Sequence, residues 1–191
     1  MVWVFSGVCV VAGDLVSFLR KVLPRIEASI EGGRVAAVLV PLVFRGGELC
    51  VVFIKRGRDL KFHGGEYGFP GGVVEGGESV VDAALREAEE EVGVGMELVE
   101  VLGFLPPVRT LTGFVIAPVV GFLSLPERFE FRVNPVEVEE VVVAPLLRLV
   151  GSRFVDSFGV CYVFEGRRIW GASARVLSRL LEAAGLLSPS G

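Results

Sequence analysis

"PGGVVEGGESVVDAALREAEEEVGV", residues 70–94, is the stretch on which the reading of this chain turns. Placed on a wheel at about 100° per residue, residues 79–92 gather Val80, Val81, Ala84, Leu85, Ala88 and Val92 into one apolar arc, as a helix lying on a core requires. Glu87, Glu90 and Glu91 fall on the margin of that arc, and Glu91 lies angularly between Val80 and Ala84. This placement opposes two physical preferences. The macrodipole already makes a helix C-terminus negative, and like charges four residues apart repel. A half-buried carboxylate is also costly unless something neutralises it.

A solvated acidic face accounts for Glu89 but not for Glu87 and Glu91, an i,i+4 pair of like charge beside a core. Carboxylates that converge within hydrogen-bond distance are what a hard divalent cation requires; Mg²⁺ takes oxygen ligands, keeps waters and is commonly shared with a substrate phosphate. Glycines at 68, 71, 72, 76 and 77 permit a backbone path that bulky residues forbid and a close approach to a ligand. Chemistry alone therefore predicts a divalent-metal site where the Gly-rich turn meets the helix.

Around this segment the chain alternates strands and helices. "RVAAVLVPLVF" and "ELCVVFIKR" are β-branched runs joined by Arg45-Gly46-Gly47, which predicts a hairpin, and their apolar character on both faces predicts a sheet covered on both sides. "MELVEVLGFL", "GFVIAPVVGFL", "EEVVVAPL" and "GVCYVFEGRRIW" are four further strand candidates. An N-terminal helix is expected in "DLVSFLRKVLPRIEASIEGG", with Leu15, Phe18, Leu19, Val22, Leu23 and Ile26 on its apolar face, Asp14 as N-cap and Pro24 as a kink or break. "GASARVLSRLLEAAGLL" closes the chain as a helix. The expectation is an α/β fold, an α/β/α sandwich around a mixed sheet, in one domain over 1–191 with residues 1–34 as an N-terminal extension.

Composition narrows the function classes. The chain has 191 residues, 52% hydrophobic and 22% charged, yet its longest apolar runs fall short of the ~20 residues of a spanning helix. The first run lacks a basic leader and a small-residue cleavage site, so a cytoplasmic location without membrane insertion is expected. A net charge of −4 argues against a general nucleic-acid binder. Cys9, Cys50 and Cys161 are an odd set without C-x-x-C spacing, which predicts buried reduced thiols. The chain has no Gln and a single Asn, Asn134, a depletion of thermolabile amides that points to a heat-stable protein.

Gly72, Glu78 and the run Arg86-Glu87-Ala88-Glu89-Glu90-Glu91-Val92-Gly93-Val94 resemble the Nudix box at every defined position of a 23-residue window. The resemblance implies hydrolysis of a nucleoside diphosphate linked to another moiety, with Mg²⁺ or Mn²⁺ held by Glu87, Glu90 and Glu91 and by the backbone carbonyl of Gly71 or Gly72. It also implies a structural ion pair between Glu78 and Arg86. Upstream, residues 52–72 are similar to the extra motif of coenzyme A pyrophosphatases: Arg56, Gly65, Phe69, Pro70, Gly71 and Gly72 match, whereas Gly57 stands for a Ser, Lys61 for an Arg, Tyr67 for a Val and Gly68 for a Ser.

That likeness implies a coenzyme A-like substrate, with Arg56, Arg58, Lys61, Phe69 and Gly72 as substrate-binding residues. The general base is expected at Glu90, or at Glu137 or Glu140 in "NPVEVEEV". Rival readings are a hydrolase of ADP-ribose or another nucleoside-diphosphate compound, and a non-catalytic binding module of the same fold. A homodimer through the apolar first residues is a further expectation.

Overall fold

The structure, a computed structural model, describes residues 2–5, 8–25, 33–60, 63–126 and 128–188. Its elements in chain order are β1 (Val2–Phe5), β2 (Val8–Val11), α1 (Ala12–Val22), β3 (Arg34–Arg45), β4 (Glu48–Arg56), β5 (Tyr67–Gly68), β6 (Gly71–Val73) and α2 (Val80–Val92). A short 3₁₀ turn at Met96–Leu98 leads into β7 (Val99–Phe104), β8 (Val108–Arg109), β9 (Phe114–Leu123), β10 (Val138–Pro145) and α3 (Leu146–Gly151). The chain ends with β11 (Phe154–Asp156), β12 (Gly159–Phe164), β13 (Arg167–Ile169) and α4 (Gly171–Ala183).

The central sheet runs β10-β4-β3-β9-β7, with β5 added to β4, β6 to β3 and β8 to β9. It is mixed because β3 and β9 are parallel while their other neighbours are antiparallel. Gly46 and Gly47 close the β3–β4 hairpin with φ of 56° and 79°, the positive values that a two-residue primed turn demands. The strands alternate their apolar residues between two cores, as expected. Val51 and Phe53 join Leu42, Val120 and α4 on one face, and Cys50, Val52 and Ile54 join Leu39, Val119 and α2 on the other.

α1, α4 and the three-stranded β11-β12-β13 sheet cover the first face, and α2 covers the second. The α/β/α sandwich is therefore found. "GVCYVFEGRRIW" is two strands and not one, because Glu165 and Gly166 both take positive φ and turn the chain back. The N-terminal helix starts at Ala12, ahead of Asp14, which lies within its first turn. Phe18 and Val22 stay exposed, while Leu15, Leu19 and Leu23 are buried; Ile26 is outside the described residues. After the helix, Pro24 accepts the Phe104 N–H at 3.0 Å.

α2 is bounded by local chemistry. Ser79 accepts the Asp82 N–H on its hydroxyl at 3.1 Å while the Asp82 carboxylate takes the Ser79 N–H, a closed capping box. Gly93 ends the helix in the left-handed region at φ 69°. Beyond it, the segment before β10 turns back onto the helix, where the Arg132 N–H donates to the Val92 carbonyl at 3.1 Å and the Asn134 N–H to the Glu91 carbonyl at 3.0 Å. No helix among the described residues is long and apolar enough to cross a membrane.

Candidate active site

Glu91 is the one buried carboxylate among the described residues, 2% exposed on the face of α2 that meets β6. Its Oε2 accepts the Gly71 N–H at 2.9 Å, and Arg56 Nη1, from the end of β4, stands 3.6 Å from its Oε1. Glu87, one turn earlier, lies directly against Gly72: a Cβ built there would fall 2.2 Å from Glu87 Oε1. Only glycine leaves room for that carboxylate.

Gly71 is constrained from the opposite side, since its Cβ would meet the Ala37 carbonyl oxygen of β3 at 2.3 Å. The two glycines thus let β6 lie flat on β3 while two carboxylates rest on its outer side.

Arg86 organises the rest of the turn. Its Nε and Nη2 grip both oxygens of Glu78 at 3.2 and 3.0 Å, and Glu78 in turn accepts the Glu75 N–H at 2.7 Å, so the expected Glu78–Arg86 pair braces the loop. Arg86 Nη1 also donates to Glu87 Oε1 at 2.9 Å and to Glu90 Oε2 at 3.2 Å. Glu90 is exposed, and Glu89 is exposed without a role in this cluster.

A NUDIX domain model matches residues 33–152. The chain belongs to the Nudix family. It is 39% identical over 184 residues to an uncharacterised Nudix hydrolase, NudL, of Enterobacter sp. strain 638, covering 91% of this chain and 94% of that protein. It is 35% identical over 158 residues to NudL of Escherichia coli O1:K1 / APEC, with 82% of this chain and 81% of that one covered.

Solved structures show the same fold. RenU, a Nudix hydrolase from M. smegmatis, superposes with a TM-score of 0.59 at 20% identity, covering 89% of this chain and 97% of that one. The NUDIX domain of Shewanella oneidensis NrtR, solved with ADP ribose, superposes with a TM-score of 0.57 at 17% identity over 80% of this chain and 89% of that one. The chain is accordingly a Nudix hydrolase acting on phosphoric anhydrides, a class that works with divalent metals.

The electrostatics of the Nudix helix suit such an ion. Burial pushes the Glu91 carboxyl up to about 7; the Gly71 N–H and Arg56 oppose that rise, and Glu87 and Glu137 add to it. Glu87 is also raised by burial, against Arg86, with Glu90 and Glu137 contributing in the same sense. Glu137, from the segment before β10, thus raises both carboxyls by its negative charge. Among the described residues no three His, Cys, Asp or Glu side chains are grouped so as to hold a metal ion by themselves. An open site fits the donor set better. Two desolvated carboxylates on a glycine cradle supply the oxygen-rich and incomplete protein coordination typical of Mg²⁺.

The other expected site residues separate. Arg56 reaches the cluster, whereas Arg58 is exposed and pairs with Glu139 at 3.3 Å; Lys61 lies outside the described residues. Phe69 is corrected to a core residue: it is 5% exposed and its ring packs on Phe53 at 4.8 Å, so it does not face a ligand. Glu140 is corrected too. A bulge in β10 lies between Val138 and Glu140, and the Glu140 carboxylate is taken up by Tyr67, which donates to it at 2.9 Å, and Arg167, whose Nε donates at 2.9 Å. Arg167 holds the Glu140 carboxyl below its usual range, which makes it a poor base.

Sequence reasoning missed Tyr67, Arg167 and the Lys55–Glu139 pair at 2.7 Å. The register of Tyr67 against Lys55 across β5 and β4 left no pattern in so short a strand, and Arg167 lies within "GRRIWGASARVL", a stretch also similar to the coenzyme A pyrophosphatases, with no signal of its partner Glu140.

Proposed function

We propose that this Nudix hydrolase cleaves the pyrophosphate of coenzyme A or a derivative to 4'-phosphopantetheine and 3',5'-adenosine bisphosphate. Glu87, Glu90, Glu91 and the backbone carbonyl of Gly71 hold Mg²⁺ or Mn²⁺. The observation that supports this substrate is the meeting of two motifs at one point: Arg56, shared with the coenzyme A motif, stands 3.6 Å from the box residue Glu91. Lys55 and Arg58 flank it and share the single carboxylate of Glu139, which leaves one net positive charge beside Arg56.

A divalent cation bound there supplies Lewis acidity toward water and phosphate oxygens. Glu137 accepts the proton of the attacking water as its oxygen bonds to phosphorus and the anhydride P–O bond breaks. Arg56 offsets the charge gathering on the phosphate oxygens, and Arg86 keeps Glu87 and Glu90 oriented. Gly72 contributes by its lack of a side chain, which lets the substrate and Glu87 share the space above β6.

A panel of coenzyme A, dephospho-coenzyme A, ADP-ribose and nucleoside triphosphates, with products identified by mass, tests the reading. Coenzyme A is expected to show the highest kcat/KM; a preference for ADP-ribose would move the assignment to the rival nucleoside-diphosphate class. Metal binding without turnover of any of them would favour a binding module. We further propose a cytoplasmic location, supported by the buried free thiols Cys50 and Cys161, and a homodimer, testable by sedimentation.

A further inference from the structure

The only asparagine of this amide-poor chain sits where the segment before β10 meets α2. Three of its four polar groups, the backbone N–H, the backbone carbonyl and the side-chain Oδ1, hold the turn. The Asn134 N–H donates to the Glu91 carbonyl at 3.0 Å, one of the carbonyls that a helix end leaves without a partner. The Asn134 carbonyl accepts the Glu137 N–H at 3.0 Å and the Val138 N–H at 2.8 Å. Its side-chain Oδ1 accepts the Val136 N–H at 3.2 Å, which closes an Asx-turn around Pro135.

The same turn is held from its other side. The Gly57 N–H donates to the Glu137 carbonyl at 2.8 Å, and a Cβ at Gly57 would fall 2.6 Å from the Val136 carbonyl oxygen. Gly57 directly follows Arg56 at the end of β4. The backbone of Glu137 is thus tied on one side to the main chain of Glu91 and on the other to the strand end that carries Arg56.

We propose that Asn134, seconded by Gly57, is a positioning residue that fixes the backbone of Glu137 between the end of α2 and the end of β4. An amide suits this position better than the other residues that make such turns. Aspartate would keep the acceptor but add a negative charge close to three carboxylates that already repel, and serine would present a different, shorter acceptor. The inference rests on the reading of Glu137 as acting at the site.

Four variants test it: Asn134→Ala, Asn134→Asp, Glu137→Gln and the double variant Asn134→Ala/Glu137→Gln. In the metal-free protein, loss of one hydrogen bond in Asn134→Ala is expected to speed amide exchange at Val136, Glu137 and Val138 by about fivefold, with Asn134→Asp near wild type. In the metal-loaded enzyme, misplacement of Glu137 is expected to lower kcat about tenfold with KM little changed, and Asn134→Asp should recover most of that loss.

In the Glu137→Gln background, Asn134→Ala should remove nothing further. If Glu137→Gln keeps the full rate, the inference falls together with the base assignment. If Glu137→Gln is crippled while Asn134→Ala is unimpaired, or while the two losses multiply in the double variant, the role given to Asn134 alone is wrong.

Discussion

At the scale of single residues, the chemistry follows from where α2 puts Glu91. A carboxyl raised to about 7 in the folded protein but ordinary when unfolded binds its proton more tightly in the fold, so its contribution is favourable at low pH. The sign then fixes the pH window. Stability of the metal-free protein should fall as pH rises from about 4.5 to about 7 and level off above, an effect isolated as the difference between wild type and Glu91→Gln in thermal melts. At pH 8 Glu91→Gln is expected to melt a few degrees higher than metal-free wild type, because the Gly71 N–H keeps an acceptor and the buried charge is gone.

The same variant should lose activity by about a hundredfold or more, as expected when an ion loses a protein ligand. A Glu91→Gln enzyme that is both less stable and fully active would contradict both halves. Glu91 was legible in the sequence because its wheel angle lay inside an apolar arc. Phe69 was expected at the substrate only through its match to the coenzyme A pyrophosphatase motif, whereas the structure packs its ring on Phe53 in the core.

At the scale of elements, the Gly-rich turn and α2 form one unit whose two adjacent glycines should respond differently. Gly71→Ala drives a methyl into the Ala37 carbonyl of β3 and is expected to cost about 1–3 kcal/mol of stability, seen as a lowered denaturation midpoint. Gly72→Ala meets a side chain that can swing away, so the fold should persist while displaced Glu87 costs most of kcat. Equal loss of stability in both would show that Glu87 is held rigidly, against this account.

α2 itself was readable almost to the residue, since the wheel over 79–92 and the glycine at 93 match the helix Val80–Val92, and Ser79 proves to be its N-cap. The loop of residues 132–138 was not. It is placed by backbone N–H groups donating to the Val92 and Glu91 carbonyls, and backbone bonds leave no side-chain pattern to read. The bulge between Val138 and Glu140 is equally silent in a run of Val and Glu.

At the scale of the whole molecule, the two-faced apolar strands announced a sheet covered on both sides, and two cores are found. Strand order was beyond reach, because the parallel pairing of β3 with β9 joins segments about 80 residues apart that no local pattern links. Burial also shields the two described thiols, Cys50 within the α2-side core and Cys161 on β12 of the three-stranded sheet. Cys50, on the α2 face, is pushed up to about 11 by burial, and Cys161 is fully buried. Peptide mapping after alkylation at pH 8 should therefore find both unlabelled in the native protein and labelled once it is unfolded. Rapid native labelling of either would mean that its core opens.

The account as a whole depends on a cation among the box carboxylates. Calorimetric titration of the protein with Mn²⁺ tests this most directly: saturable binding is predicted for wild type and a loss of affinity of at least about tenfold for Glu91→Gln. Identical binding curves for the two proteins would contradict it.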